Sequence, residues 1–486
     1  VVGLRGIDFG FHWDEDNMAQ RVRHAADTGV LLPGRYNYPS VSFWLSFAGL
    51  LPEAVASGRS AGRTPTSADL SAATDTPAYR LRVRTIFLLV TGAGVVATAL
   101  LAATLGAGAV EAGLASAIVA TSWEVGYHAR WIAPDGVMMA GATLATACAI
   151  ALAVPRESEP RGRDTHPRRR AGVCAALFTG LAIGTKYTAW PLLVVMTAAA
   201  WLAPRAEPGT RPRRVAGVLL LAGLAYLLTT PGTLLQPGPF LRDLALEMRH
   251  YATGHSRHTV DAGADHLWRM VVYIATVQLS PYRVASVLWS LLAAVGTVAL
   301  WRANRRGAAL LLAFPLMYLT WFATERVMIV RNLLVVAPVV AVLAARGAGV
   351  LWRGAALPLR GALATAVTAA VLVSAVFDVR AGGSIRDADQ RPLVPALAAW
   401  ERAHGDRSVR RVGRLAQAPD GSGTPAAATA SRTLVAFYAS DQGSADVPEI
   451  MANRPGTIVA AIGPADANFD YYPDWVGREH ILVIAR

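Results

Sequence analysis

Only one of the chain's 46 basic side chains is a lysine, Lys186; the other 45 are arginine. A lysine ammonium is a compact point charge on a flexible stem, whereas an arginine guanidinium is a planar fork. Keeping one lysine against so strong a bias points to a phosphate contact at position 186. The alternative is a lysine that snorkels from a helix end. A second cluster is acidic: Phe11-His12-Trp13-Asp14-Glu15-Asp16 sets three carboxylates in a row beside an aromatic, ahead of Tyr36-Asn37-Tyr38-Pro39. An acidic run in a loop is ordinarily just solvated, so its chemistry depends on what faces it. His128, Arg130 and Asp135 lie close together, and His250, His255, Glu325 and Arg331 follow. The two late histidines fit structural roles or substrate contacts equally well. Acids near histidines can also supply ligands for a divalent metal, although no compact ligand motif is visible. Cys148 and Cys174 both sit inside apolar segments as small hydrophobes, with no disulfide framework.

The elements that must carry these residues are membrane spans. A chain of 486 residues with 53% hydrophobic and 16% charged residues is too apolar for an ordinary soluble protein, and its mean hydropathy is +0.36. The formal charge of +13 resides in arginine-rich loops between apolar stretches, which is a topology signal and gives no reason to expect nucleic acid. Ten spans are predicted: 85 to 104, 112 to 127, 132 to 154, 171 to 186, 188 to 203, 215 to 232, 283 to 301, 308 to 323, 332 to 346 and 361 to 377. The arginine-rich loops 155 to 170, 204 to 214, 302 to 306 and 346 to 360 are assigned to the cytoplasm, with consistent parity. Residues 1 to 84 are then external, with the apolar stretch 41 to 57 lying along the membrane surface. Arg59, Arg63, Arg80, Arg82 and Arg84 violate the positive-inside rule in this assignment. An external start also calls for a further helix ahead of Val1. Residues 85 to 377 form the transmembrane domain. The tail, 378 to 486, has β-rich runs at 433 to 438, 457 to 462 and 480 to 485 and reads as a small external α/β domain.

In this topology the polar residues that flank the spans fall on one face of the membrane and can converge on one external cavity. No span carries an ionisable residue near its middle, which argues against an ion-coupled transporter.

Across residues 7 to 346 the pattern resembles the GT-C superfamily of polyprenyl-phosphate-sugar-dependent transferases, in particular relatives of glycosyltransferase family 39 such as protein O-mannosyltransferases and lipid A aminoarabinose transferases. Asp14-Glu15 and Tyr38-Pro39-Ser40 are similar to the acidic pair and the following Tyr-Pro-Pro element of the first external loop, with Ser40 in place of the second proline. Ser122, His128, Ala129-Arg130 and Pro134-Asp135 resemble the second external loop. Gly180-Leu181-Ala182-Ile183-Gly184-Thr185-Lys186-Tyr187 looks like the run that leads to Thr-Lys at an external helix end, and is the most specific match. The stretch from His250 to His255 resembles a Gly-His element, and Arg331-Asn332-Leu333-Leu334 with Pro338 resembles the late Arg-Tyr-Leu-Leu element, with Asn in the tyrosine's place. The tail is not covered.

The resemblance implies an all-α polytopic membrane glycosyltransferase of the bacterial cytoplasmic membrane. It would move mannose or a similar sugar from a polyprenyl-phosphate carrier to an acceptor hydroxyl on a protein, glycan or lipid, with inversion, at a site facing outside. It implies Asp14 as general base with Glu15 in support, and Lys186, Arg331 and Arg130 as the phosphate-binding cations. Asp135, His128, Tyr38, His250 and His255 are the implied substrate contacts. Some members of the superfamily use a divalent ion and others do not. The competing readings are a flippase for lipid-linked sugars and a non-catalytic membrane scaffold subunit.

Overall fold

The computed structural model describes residues 2–9, 15–155, 166–204, 210–254, 258–390, 393–404, 408–411, 433–440, 457–462 and 479–485. The chain divides into two units: one holds Val1–Ile7, His12–Thr253 and Val260–Val379, the other Arg380–Arg486 with Asp8–Phe11 and Gly254–Thr259.

Among the described residues the first unit is built from helices. Four short helices, α1 (Asp16–Thr28), α2 (Val41–Ala48), α3 (Leu51–Ala61) and α4 (Ser67–Ala73), precede α5 (Pro77–Thr104), α6 (Ala109–Ala120), α7 (Trp123–Ala129) and α8 (Pro134–Ala153). Then come α9 (His166–Thr185), α10 (Leu192–Leu202), α11 (Arg211–Thr229), α12 (Gly232–Leu235), α13 (Pro237–Thr253) and α14 (Ala264–Tyr273). The series closes with α15 (Arg283–Ala303), α16 (Arg305–Ala323), α17 (Ala337–Gly354) and α18 (Leu357–Gln390), the last of which runs on into the second unit. Among the described residues eight stretches are long and apolar enough to cross a membrane, and Ala109–Ala120 and Tyr187–Leu202 are shorter apolar helices. The chain is an all-α multi-pass membrane protein. Each of the ten predicted spans has a helix at its position. The stretch Val41–Ser60 also has the length and hydropathy of a span, but α2 and α3 break there at Gly49 and Leu50.

Small residues let the helices touch backbone to backbone, as membrane packing requires when lipid is as apolar as the core. A Cβ added to Gly296 of α15 would collide with the carbonyl oxygen of Leu343 in α17, and one on Gly347 with the carbonyl oxygen of Leu292. The glycines of the Gly180-to-Lys186 run do the same for α9. A Cβ at Gly180 would strike the Ala222 carbonyl of α11, one at Gly184 the Thr229 hydroxyl, and Ala182 lies against Gly141 of α8. That motif therefore wedges α9 between α8 and α11, which sets where its last residues emerge.

Four of the five arginines at odds with the positive-inside rule have acidic partners from the same N-terminal region. Arg84 pairs with Glu15 at 2.6 Å, Arg80 with Asp16 at 3.5 Å, Arg63 with Asp69 at 2.7 Å, and Arg82 with Glu53.

In the second unit α19 (Leu393–Ala403) accompanies a four-stranded sheet of order β1-β2-β4-β3, with β1 (Ser408–Arg411), β2 (Thr433–Ser440), β3 (Thr457–Ile462) and β4 (Glu479–Ala485). β1 and β2 are parallel; β4 is antiparallel to β2 and to β3. Leu397 of α19 packs on Leu434, Ala436, Ile481 and Val483, a separate small core.

Candidate functional site

Lys186 is the residue at which α9 stops. Its backbone turns extended (φ −152°, ψ 128°) ahead of a 3-10 turn over Tyr187–Ala189, and its amide still donates to Ala182 O at 3.0 Å. The side chain is 4% exposed and its ammonium donates to Asp135 Oδ1 at 2.6 Å and to Asn332 Oδ1. Asp135 comes from the opposite polarity of helix end, the first turn of α8 after Pro134. An acid at a helix N-terminus and a cation at a C-terminus each favour the local dipole. Arg331 and Asn332 arrive on a 3-10 segment, Val330–Val336, where Tyr318 of α16 donates to the Asn332 carbonyl at 2.8 Å.

The second oxygen of Asp135 faces Arg331 Nε at 3.6 Å, close enough for ion pairing and too far for a hydrogen bond. Two cations thus share one fully buried carboxylate. Arg331 also reaches the Tyr38 hydroxyl at 3.5 Å and lies 5.3 Å from the centre of the Trp131 ring. Asn332 Nδ2 donates to the Tyr251 hydroxyl at 3.5 Å, which brings the end of α13 to the cluster. Burial raises the Tyr251 phenol well beyond its ordinary value, so it stays a neutral hydrogen-bonding group.

The Tyr36-Asn37-Tyr38 segment is fixed from several directions. The buried Arg21 of α1 donates to Asn37 and to the Tyr38 carbonyl. Asp243 of α13 accepts the Tyr36 amide at 2.8 Å, and Tyr187 donates to the Tyr36 carbonyl at 2.7 Å. Burial, with Asp243 nearby, pushes the Tyr36 phenol up to about 12, so it remains the donor to Gln236 Oε1 at 2.6 Å.

Glu15 opens α1 and is buried against Arg84. The guanidinium donates through Nε at 2.8 Å and Nη2 at 2.6 Å, and its Nη1 donates to the Ile7 carbonyl at 3.0 Å. The Ile132 amide donates to Glu15 Oε1 at 3.0 Å, so the same carboxylate anchors the turn before α8. Glu15 is therefore saturated by protein donors. Asp14 and His255 lie outside the described residues.

Arg130 and Asp135, which the sequence places five apart, belong to different clusters. Arg130 is committed to Asp378 of α18, at 2.7 Å to the carboxylate and 3.0 Å to the carbonyl, and to the Arg5 carbonyl at 2.9 Å. Asp135 therefore orients Lys186 and Arg331 instead of Arg130, because the turn at 130 to 133 points the two side chains apart. His128 pairs with Glu124 one turn earlier in α7 at 3.1 Å and lies 5.7 Å from Trp131, the ring that Arg331 covers. His250 ends α13 half-buried beside Tyr251, and burial lowers its pKa. Among the described residues no group of three or more His, Cys, Asp or Glu comes together as a metal site.

Two participants carry no motif of their own in the sequence, Trp131 and Arg84, while Asn332 and Tyr251 lie inside matched elements without being singled out as site residues. Arg84 left a signal, a cation at the head of a long apolar run that demands an acidic partner.

A bundle of this topology, with buried ions gathered at the ends of its spans, defines a multi-pass membrane protein of the GT-C fold. The individual likenesses are to two crystal structures of ArnT, the aminoarabinose transferase of Cupriavidus metallidurans. The apo form matches at 15% identity and a TM-score of 0.53, over 98% of this chain and 93% of that one. The form bound to undecaprenyl phosphate matches at 14% identity and 0.54, over 99% and 95%. The oligosaccharyltransferase AglB from Archaeoglobus fulgidus matches more weakly, at 11% identity and 0.46 over 82% and 56%. No protein-family model and no curated protein sequence matches the chain.

Proposed function

We propose that the protein is a glycosyltransferase that takes its sugar from a polyprenyl-phosphate carrier at the Lys186 cluster. The observation that carries this reading is the pair of cations on the single carboxylate of Asp135. In that cluster two cations face one carboxylate where spans end. A sugar phosphodiester has one negative charge, and the phosphate that departs gains more. Cations that strengthen their hold as charge develops stabilise the transition state more than the ground state. The ArnT structure containing undecaprenyl phosphate supports the same class of donor for this fold.

In the proposed step Asp14 removes the proton from an acceptor hydroxyl, the hydroxyl oxygen bonds to the anomeric carbon, and the carbon–oxygen bond to phosphate breaks with its electron pair leaving on the carrier. One displacement inverts the centre. Glu15, held by Arg84, fixes the neighbouring Asp14. Lys186 and Arg331 bind the phosphate, Tyr38 orients Arg331, and Asp135 spaces the two cations. Arg130 braces the second loop from its pair with Asp378. In this reading His128, His250 and His255 contact the sugar or acceptor. Mannose or a related sugar is the donor group, a protein, glycan or lipid the acceptor, and the bacterial cytoplasmic membrane the location, with residues 1 to 84, the site and the C-terminal domain outside.

The test is transfer from labelled polyprenyl-phosphate mannose and a panel of other carrier-linked sugars in membranes, wild type against Asp14→Asn. Loss of a general base is expected to cost about 10²- to 10⁴-fold in turnover. Donor binding without wild-type turnover of any sugar would favour a flippase or scaffold instead.

A further inference from the structure

The far end of α9 is built as differently from Lys186 as one helix allows. Sixteen residues separate Arg170 from Lys186, about 24 Å along the helix axis, so the two ends lie near opposite membrane surfaces. Arg169 and Arg170 are exposed there, and they form with Val173 and Cys174 an open recess of about 360 Å³.

A second helix brings more arginine to the same level. Gly172 faces Val218, Gly180 faces Ala222, and Gly184 faces Thr229, so α9 and α11 run parallel with their starts together. α11 opens Arg211-Pro212-Arg213-Arg214. Arg211 leans on the Trp201 ring at 5.9 Å and Arg214 on the Ala203 carbonyl at 3.5 Å, both at the end of α10, while Arg213 stays exposed. Arg169, Arg170 and Arg213 have no ion-pair partner among the described residues. The sequence from 155 to 170 has six arginines against three acids.

Directly beyond the arginines α9 turns apolar on its exposed side, at Val173 and Leu177. Guanidinium groups above an apolar strip match one occupant, a molecule with a phosphate head and hydrocarbon chains. Guanidinium forks bind phosphate bidentately, which suits arginine at this position better than lysine. We infer that the start of α9 forms a binding site for an anionic diacyl phospholipid of the leaflet it faces, with its phosphate on Arg169 and Arg170 and a chain along the Val173–Leu177 strip, the arginines that open α11 adding positive charge at the same level. This site is independent of the sugar-transfer reading and lies at the opposite end of α9 from it.

The experiment uses the full chain in detergent with added dioleoyl phosphatidylglycerol, dioleoyl phosphatidylcholine or soluble glycerophosphate. Bound lipid is counted by native mass spectrometry. In a Cys148→Ala background, the maleimide alkylation rate of Cys174, which lines the recess, reports where the lipid sits. Phosphatidylglycerol is expected to remain bound and to slow alkylation, and phosphatidylcholine and glycerophosphate to do neither. An arginine near an anionic lipid surface contributes about a fivefold gain in affinity, so Arg169→Gln and Arg170→Gln together should weaken phosphatidylglycerol binding about 25-fold. The double lysine variant, which keeps the charge and guards against a folding defect in the glutamine variant, should retain most of it. Equal binding of phosphatidylcholine, unchanged binding by the glutamine variant, or alkylation insensitive to lipid would each overturn the site. Protection by glycerophosphate alone would overturn the lipid as its ligand.

Discussion

Two buried ion clusters in the helical unit solve the same problem in opposite ways. Glu15 and Arg84 match one charge with one charge, meet through two parallel hydrogen bonds, and use further bonds to the Ile7 carbonyl and the Ile132 amide. Asp135 faces two cations, one through a hydrogen bond of 2.6 Å and the other at 3.6 Å without one. The first cluster is balanced and closed, which is what structure needs when charge leaves water. The second sets two cations on one carboxylate, one of them without a hydrogen bond to it, an arrangement that is costly in a core and useful where a charged ligand arrives. Burial alone does not separate structural from functional ions; charge balance and bond satisfaction do.

The largest effect should come from breaking the balanced pair. Arg84→Ala leaves Glu15 buried and uncompensated and is expected to cost about 3 to 5 kcal/mol of stability. Thermal melts of the purified protein would read this as a large drop. Glu15→Gln combined with Arg84→Met should be less damaging than Arg84→Ala alone, and a double variant as unstable as the single one would contradict the closed-pair description.

Lys186→Arg probes the unbalanced cluster. The guanidinium fork is too wide for a slot where one ammonium bonds both Asp135 and Asn332, so we expect about a 10²- to 10³-fold loss of turnover, the scale of losing one transition-state donor, with melting little changed. Full activity would remove the argument for a compact ammonium. Tyr38→Phe deletes the long 3.5 Å contact to Arg331. A loss of about three- to tenfold is expected, near the ordinary value of one hydrogen bond, and a loss as large as that of Lys186→Arg would make Tyr38 a direct contact to the reacting groups.

The smallest effect concerns a third solution to burial, a neutral group. His266 is buried with its Nδ1 against the Glu325 carbonyl at 2.9 Å, which makes Nδ1 the protonated nitrogen of a neutral ring. Burial lowers its pKa below the ordinary 6.5. The unfolded chain then binds the proton first, so the stability from His266 is complete above about pH 6.5 and declines as pH falls below it. Melts at pH 7.5 and pH 5.5 should show a loss that His266→Gln reduces, and an equal pH dependence in the variant would assign it elsewhere.

Much of the molecule was legible in the sequence because it rests on local signals. Hydropathy over about 20 residues marks spans, and the single lysine among arginines marked Lys186 before any contact was known. The strand runs near 433, 457 and 480 were visible from β-branched alternation. β1 was not, since four residues with two arginines lack that pattern.

What the tertiary structure decided is which charges meet. In the sequence Arg130 is five residues from Asp135 and 248 from Asp378, yet it pairs with Asp378. Lys186 is 146 residues from Asn332 and bonds to it. Composition and periodicity place a residue at the end of a span and on one face of it. Partnership across the bundle depends on helix rotation and depth, set by close contacts such as Gly180 on Ala222 and Gly184 on Thr229. A shift of one residue there turns a helix by about 100°, enough to carry Lys186 away from Asp135, and no local signal in the chain encodes that register.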